Sequence, residues 1–444
     1  MKVVVLGGGS TGEHFVGALR RLDEAAEITL VESRLVGGEC SYYACMPTKT
    51  MLRAAELSSS LGRAPGLEAE RPQADGVWSW RDWVTSDWDD HGQVDWLAGQ
   101  RCTLVRGKGV VVRPGTIAVD GQELSYDKLV VATGSRPAVP PVEGLDAVDY
   151  WTNVEATSTH ELPKSLAVMG GGPVGVELAQ FFSRLGARVT VIEHGPRLLG
   201  HVHEEAGERI HETFDEEGID VRTGVAVEAA APGVELSLSD GSTVEAERLL
   251  VATGRRPDTM GLELEQLGLS IGPQGIEVDE RCRAAEDVWA IGDVTGVALF
   301  THVGKYQARI AAADMAGRDV KADYRAIPAG IFTDPEVATV GRSDGVSARW
   351  ELTSTPRLST YERPKRPGFV RLFADPDARV LVGAVAVGPQ AAEWLGQLTL
   401  AVRAATPIDV LLDTIQPYPT FCEAIFLALR ELDDVVSGSR VAGA

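Results

Sequence analysis

Lys2-Val3-Val4-Val5-Leu6-Gly7-Gly8-Gly9-Ser10-Thr11-Gly12 decides the fold. Lys2 to Leu6 is a continuous apolar run, as in a strand buried on both faces of a parallel sheet. The glycines that follow open a helical pattern from Phe15 to Leu22, and Ile28 to Val31 reads as a second strand ending at Glu32. In that context Gly7, Gly9 and Gly12 let the backbone approach a pyrophosphate, the helix N-terminus holds it, and Glu32 accepts the ribose hydroxyls. The pattern then recurs. Leu166 to Met169 leads to Gly170-Gly171-Gly172-Pro173-Val174-Gly175, a helix, and Val189 to Ile192 ending at Glu193. Ala132-Thr133-Gly134 also has a second copy, Ala252-Thr253-Gly254. A repeat of this kind predicts two related dinucleotide-binding domains, one for a flavin and one for a nicotinamide, placed so that hydride can pass.

Between the two fingerprints lies Gly37-Gly38-Glu39-Cys40-Ser41-Tyr42-Tyr43-Ala44-Cys45-Met46-Pro47-Thr48-Lys49. Pro47 suits the first turn of a helix, which places Cys45 near a helix N-terminus. The partial positive charge there favours thiolate over thiol. Cys40 is close enough in sequence to form a disulfide with it.

The chain has 444 residues, enough for several domains. Its 42 Lys+Arg and 64 Asp+Glu give a formal charge of −22, which disfavours nucleic acid and anionic membranes as partners. There is no apolar run of membrane length, and Met1-Lys2 leads straight into a strand. Five cysteines with no secretory pattern fit a reducing cytoplasm, where a close pair is more often catalytic than structural. No metal site is expected.

Residues 58–100 read as less regular, and their tryptophans (Trp78, Trp80, Trp83, Trp88 and Trp96) as packing. Cys102 to Val119 and Lys128 to Ala132 read as β segments. Val288 to Ile291 reads as a strand before Gly292-Asp293, whose exposed acid suits sugar-alcohol hydroxyls, and a helix is expected from Thr301-His302 past Ala308. From about Ile327 the pattern changes to β segments (Gly330 to Thr333, Phe369 to Phe373, Val380 to Val387) followed by helices, with no nucleotide motif.

In this order the motifs resemble the FAD-dependent pyridine nucleotide–disulfide oxidoreductases along the whole chain. That family includes dihydrolipoamide dehydrogenase, glutathione reductase and mercuric reductase. The resemblance rests on both fingerprints, the Cys-x-x-x-x-Cys-x-Pro-x-Lys stretch, both Ala-Thr-Gly segments, Gly292-Asp293 and Phe332-Thr333-Asp334-Pro335-Glu336. It implies an α/β fold: two Rossmann-like domains, for FAD and NAD, plus a C-terminal α+β dimerisation domain. The implied divisions are 1–147 for FAD and the cysteine pair, 148–257 for NAD(P), 258–326 as a return segment of the FAD domain, and 327–444 as the interface domain. FAD contacts fall at Gly7, Gly9, Gly12, Glu32, Gly109, Thr133, Gly134, Ser135, Asp293, Thr301 and His302. Nicotinamide contacts fall at Gly170, Gly172, Gly175, Glu193 and Gly254. Cys40 matches the thiol that meets the substrate, Cys45 the thiol against the flavin, and Lys49 with Glu177 the ion pair beside the ring. A homodimer is implied in which each C-terminal domain completes the partner's active site. The implied activity passes electrons between NAD(P)H, FAD, the Cys40–Cys45 disulfide and an external dithiol or disulfide, as in dihydrolipoamide dehydrogenase. Glu193 favours NAD(H) over NADP(H), because a carboxylate accepts from a free 2′-hydroxyl and repels a 2′-phosphate, although Arg197 lies nearby.

Three departures stand out. Disulfide-reducing members carry His-Pro-x-x-x-Glu near the C-terminus, where the histidine is the acid–base for thiol exchange. Here the stretch is Tyr418-Pro419-Thr420-Phe421-Cys422-Glu423. A phenol near pKa 10 is a poor base at neutral pH, and losing general-base help costs roughly 10²–10⁴ in rate. Mercuric reductases also place a tyrosine there, which raises a non-disulfide acceptor, a quinone or a metal ion, as the alternative substrate. This chain lacks their vicinal C-terminal cysteines, and Cys422 is expected to be a buried helix residue. Second, Glu39 precedes Cys40, and it would raise that thiol's pKa if both faced one cavity. Third, Pro173 stands in the second fingerprint, where some relatives place a bulky residue over the nicotinamide pocket.

Overall fold

The computed structural model describes residues 1–68, 70–363 and 366–438. Lys2–Leu6 lies inside a six-stranded sheet, parallel to Glu27–Glu32 on one side and Lys128–Val131 on the other. Cys102–Arg106 extends the sheet beyond Glu27–Glu32, and Val288–Ala290 extends it beyond Lys128–Val131, both parallel. Arg283–Ala285 closes that edge antiparallel. A segment far along the chain thus completes the first sheet. The second sheet has five parallel strands in the order Asp220–Thr223, Arg188–Glu193, Ser165–Met169, Arg248–Val251 and Tyr150–Trp151. Beside each sheet sits a small antiparallel layer, Gly109–Arg113/Thr116–Val119/Gln122–Ser125 in one copy and Val227–Ala231/Glu235–Leu238/Thr243–Glu245 in the other.

The repeat holds to atomic detail. Gly7 has φ +104°, and a Cβ there would stand 2.3 Å from the Ala132 carbonyl oxygen; Gly170 has φ +111°, with its Cβ 2.4 Å from that of Ala252. Gly12 and Gly175 begin their helices so close to the preceding turn that a Cβ would stand 2.1 Å from Gly7 O and 1.9 Å from Gly170 O. Only glycine satisfies both demands, so the two sequence fingerprints become two copies of one turn. The copies also touch: Ser135–Pro137 pairs antiparallel with Arg255–Pro257, joining the segments that follow the two Ala-Thr-Gly turns.

The C-terminal module is a five-stranded antiparallel sheet, Pro328–Ile331, Glu336–Gly341, Val380–Gly388, Phe369–Asp375 and Val346–Glu351. Helices Ala391–Ala404 and Cys422–Val436 pack on it through Leu395, Leu398, Ile425 and Leu429. One core cluster runs between the modules: Met51 and Trp78 meet Phe181 and Phe182 of the second repeat and Phe369 of the C-terminal sheet.

Residues 58–100 correct the sequence reading. They hold the end of the Cys45–Arg63 helix, then Ala74–Val84 and His91–Gly99. Helical periodicity is hidden because only Val77, Trp78 and Arg81 of Ala74–Val84 are buried. Trp78 packs edge-on against Phe181, with ring centroids 5.7 Å apart. Trp83 is 75 % exposed, so packing accounts for Trp78 and not for every tryptophan of the group. The β reading of Cys102 to Val119 resolves into three strands, broken at Gly107-Lys108 and Pro114-Gly115.

Candidate active site

A cleft of ≈ 410 Å³ runs from the end of Glu27–Glu32, past the first glycine turn, to Cys40 and Thr301. Of the predicted FAD contacts, Gly7, Gly9, Glu32, Gly109, Thr133, Gly134, Ser135, Asp293 and Thr301 line it. Gly12 lies beneath Gly7. Glu32 holds the turn in shape: Oε2 accepts from Gly8 N at 2.7 Å, and Oε1 from Arg34 N at 2.6 Å. Glu193 repeats this in the second copy, accepting from Gly171 N and Gly195 N at 2.6 Å each. The long cleft, the glycine cradle and the start of the Ser10–Leu22 helix fit a dinucleotide.

Asp293 is half-buried at the cleft and accepts from Ser135 Oγ at 2.6 Å. Burial pushes its carboxyl up, against the Ser135 hydrogen bond and the Arg255 guanidinium. Thr133 donates instead to the Asp258 carbonyl, 2.7 Å away. The His302 side chain is turned out of the cleft: it stacks on Phe300 and its Nε2 lies 2.8 Å from Pro328 O. Any cofactor contact by this residue would therefore come from its backbone.

Cys45 is the first residue of the Cys45–Arg63 helix, as Pro47 suggested. Cys40 Sγ donates to Cys45 Sγ at 2.7 Å, and Thr301 Oγ1 lies 3.4 Å from Cys45 Sγ. The pair is electrically asymmetric. Cys45 is pulled down to about 6, first by the hydrogen bond from Cys40, then by Thr301, the Lys49 ammonium and its own backbone N–H, against the opposing effect of burial. Cys40 is pushed well up by the same hydrogen bond, by burial and by the charge on Cys45. In the reduced pair the negative charge is therefore drawn to Cys45 and the proton to Cys40.

One turn along the helix, Lys49 Nζ meets Glu177 Oε2 at 2.7 Å and lies 4.9 Å from the Phe332 ring centroid. Glu177 is 4 % exposed, and its other oxygen accepts from Phe332 N at 2.8 Å. This pair joins the redox helix to the second repeat and the C-terminal module.

Tyr418 is 71 % exposed within the single chain. Glu423 lies in the first turn of Cys422–Val436, and its Oε2 is buried with no hydrogen-bond partner among the described residues. Cys422 is the first residue of that helix and half-buried, and burial raises its thiol. Among the described residues no group of three or more His, Cys, Asp and Glu is arranged for a metal ion, and no helix is long and apolar enough to cross a membrane.

The sequence reading missed a basic fringe on the cleft: Arg34, Lys108, Arg136 and Arg255 all line it. The recurrence of Arg-Pro after both Ala-Thr-Gly turns was the available signal for Arg136 and for the segment that holds Arg255. The expected effect of Glu39 on Cys40 also needs correcting. Glu39 pairs with Arg255 at 2.7 Å, which neutralises it, and the high pKa of Cys40 comes from Cys45 and burial.

A family model described as pyridine nucleotide-disulphide oxidoreductase matches residues 1–319, and the dimerisation domain of the same family matches 327–429. The chain belongs to the pyridine nucleotide–disulphide oxidoreductase family. Its FAD and pyridine nucleotide use, α/β architecture and dimeric assembly follow from that membership. This oxidoreductase is 32 % identical to a mercuric reductase of Staphylococcus aureus, over 97 % of the chain and 82 % of the relative. It is likewise 32 % identical to dihydrolipoyl dehydrogenase 2 of Haloarcula marismortui, over 96 % of the chain and 95 % of the relative. Among solved structures, LpdA of Mycobacterium tuberculosis superposes with a TM-score of 0.87 at 27 % identity, covering 97 % of this chain and 99 % of that one. The flavoprotein disulfide reductase RclA of Escherichia coli has the same fold, with a TM-score of 0.85 at 22 % identity over 98 % of this chain and 100 % of that one.

Proposed function

We propose that the enzyme moves electron pairs between NAD(H), the Cys40–Cys45 pair and an external dithiol or disulfide, in the manner of a dihydrolipoamide dehydrogenase. The observation that carries this reading is the asymmetric cysteine pair at the end of the cleft. In the reducing direction the net reaction is NADH + H⁺ + RSSR → NAD⁺ + 2 RSH. Bound in the cleft lined by Gly7, Glu32, Ser135 and Asp293, FAD would supply the two-electron relay between the nicotinamide and the cysteine disulfide. Cys40, once deprotonated, attacks one sulfur of the external disulfide and releases the first thiol. Cys45 then attacks Cys40 Sγ, releasing the second thiol and re-forming the Cys40–Cys45 bond. Lys49 and Glu177 hold the redox helix against the second repeat, and Thr301 steadies the Cys45 thiolate. The C-terminal domain of each protomer completes the partner's site through Tyr418 and Glu423.

For the coenzyme we favour NAD(H). The Glu193 carboxylate is fixed at the end of its strand by two backbone N–H groups. The nearby Arg197 is engaged by the Leu199 and Gly200 carbonyls at 3.1 and 3.0 Å, not free for a 2′-phosphate. kcat/KM for NADH should exceed that for NADPH by about tenfold or more, and Glu193→Ala should narrow the ratio. An equal or reversed preference in the native enzyme would refute the assignment.

A second reading, reduction of a quinone or a metal ion, is favoured by Tyr418, which puts a phenol where thiol exchange uses an imidazole. On the disulfide reading, exchange is slow for want of that base. Tyr418→His should then raise dihydrolipoamide oxidation at pH 8 by roughly 10–100-fold, within the range of general-base catalysis. Steady-state assays against lipoamide, a quinone and Hg(II) decide between the readings. Unchanged lipoamide turnover in Tyr418→His, beside fast reduction of the quinone or Hg(II), would favour the second.

A further inference from the structure

Glu39, Asn153, Ser135, Asp293 and Arg255 come from five separate parts of the chain and meet around one guanidinium. Arg255 Nη2 donates to Glu39 Oε2 and to Ser135 O, at 2.7 and 2.8 Å; its Nε donates to Ser135 Oγ at 2.8 Å and its Nη1 to Asn153 Oδ1 at 3.2 Å. Ser135 Oγ in turn donates to Asp293 Oδ2. Asn153 reaches the redox segment twice, donating to Glu39 Oε2 at 3.2 Å and to Tyr43 O at 2.9 Å. Cys40 sits in the short Gly38–Tyr42 turn between those two anchors. The turn that carries the exchange thiol is therefore gripped from both ends by residues outside the redox segment.

The charges point the same way. Glu39 and Asp293 are two carboxylates sharing one cation, and Asp293 responds to both neighbours: Glu39 pushes its carboxyl up and Arg255 holds it down. The other groups facing Cys40 are Cys45, and Thr301 and Lys305 of the Thr301–Met315 helix. Without Arg255, the carboxylate next in sequence to the thiol would be unpaired in a half-buried cleft, where charges are poorly screened.

We propose that Arg255, with Asn153, is a positioning residue for the exchange thiol, cancelling the Glu39 charge beside Cys40 and fastening its turn to the second dinucleotide-binding repeat. The inference rests on the proposed role of Cys40. It gives the second Ala-Thr-Gly turn a task in thiol reactivity besides any in coenzyme binding.

The test is the pH-dependent rate at which iodoacetamide alkylates Cys40, located by fragment mass spectrometry. The holoenzyme is reduced with dithiothreitol and desalted under argon, with no pyridine nucleotide present. Arg255→Gln should slow alkylation at pH 7 about tenfold, as an unpaired carboxylate raises the thiol pKa by about one unit. Glu39→Gln/Arg255→Gln should recover to within about threefold of the native rate, and Arg255→Lys, which keeps the charge but not the fork, should fall between native and Arg255→Gln. Glu39→Gln alone leaves the cation unopposed and should speed alkylation severalfold, a readout that stands even where Arg255→Gln folds poorly. An Arg255→Gln rate within twofold of native, a double variant as slow as the single, or Glu39→Gln no faster than native would each overturn the proposal. Alkylation does not depend on turnover. Failure of the dithiol route would show instead as wild-type disulfide reduction that survives loss of both cysteines.

Discussion

The variant Cys40→Ser/Cys45→Ser should bind FAD, accept electrons from NADH and lose NADH-dependent disulfide reduction by about 10³-fold or more. Serine keeps the size of each side chain but forms no disulfide, so the exchange steps have no sulfur to carry the electron pair. Flavin retention is expected because the cleft is built mainly from the glycine turn, Glu32, the first Ala-Thr-Gly segment and Asp293, with Cys40 only at its end. The check is a side-by-side measurement of flavin content, anaerobic bleaching by NADH, and turnover with lipoamide. Turnover above a tenth of native would remove the pair from the path for that acceptor. Full retention with a quinone, beside loss with lipoamide, would mean that electrons leave by two routes.

Gly12→Ala should yield protein with less than about a tenth of the native flavin. The added Cβ would stand 2.1 Å from Gly7 O, a backbone atom, so the helix start and the turn must separate. Overpacking of that kind costs about 1–3 kcal/mol, and here the displaced groups are the ones that would meet the pyrophosphate. Gly9→Ala is the informative control. Its Cβ would find nothing closer than the Gly38 Cα at 3.9 Å. That variant should fold with near-native stability and weaken FAD binding only through crowding at the cleft. Equal flavin content in Gly12→Ala and the native protein would refute the packing argument. Equal destabilisation of both variants would show that neither contact is special.

How much of this was legible in the sequence follows from where the constraints act. The fingerprints were legible because each glycine answers a local steric demand, and because both copies meet it in the same way, at Gly7 and Gly170 and at Gly12 and Gly175. Cys45 at a helix start was legible from Pro47, two residues on. The late strand Val288–Ala290 could be read as a strand, but its place beside Lys128–Val131 is a long-range pairing that the motif order alone suggested. The helices within 58–100 were not legible, because a few buried positions anchor them, Trp78 and Arg81 of Ala74–Val84 against the second repeat and Leu97 of His91–Gly99 in the core of the first, and most of each helix is exposed or only partly buried. The Arg255 cluster was hidden for a related reason, since Arg255 is 216 positions from its partner Glu39. His302 was read from its place at a helix N-terminus, whereas its side chain follows the nearest acceptor, Pro328 O. Tyr418 is exposed within the single chain, so nothing inside one protomer shows what it faces.

The central claim is that electrons pass through Cys40 and Cys45, and its most direct test is an anaerobic titration of the holoenzyme with NADH followed by visible absorbance. A Cys45 thiolate held at a pKa of about 6, in contact with Cys40 at the end of the cleft, predicts on the proposed reading a broad band beyond about 500 nm after two electrons, from thiolate-to-flavin charge transfer. The band should fade as the pH falls through that value and be absent in Cys45→Ser. Simple bleaching at two electrons, with no long-wavelength band at any pH, would contradict the account.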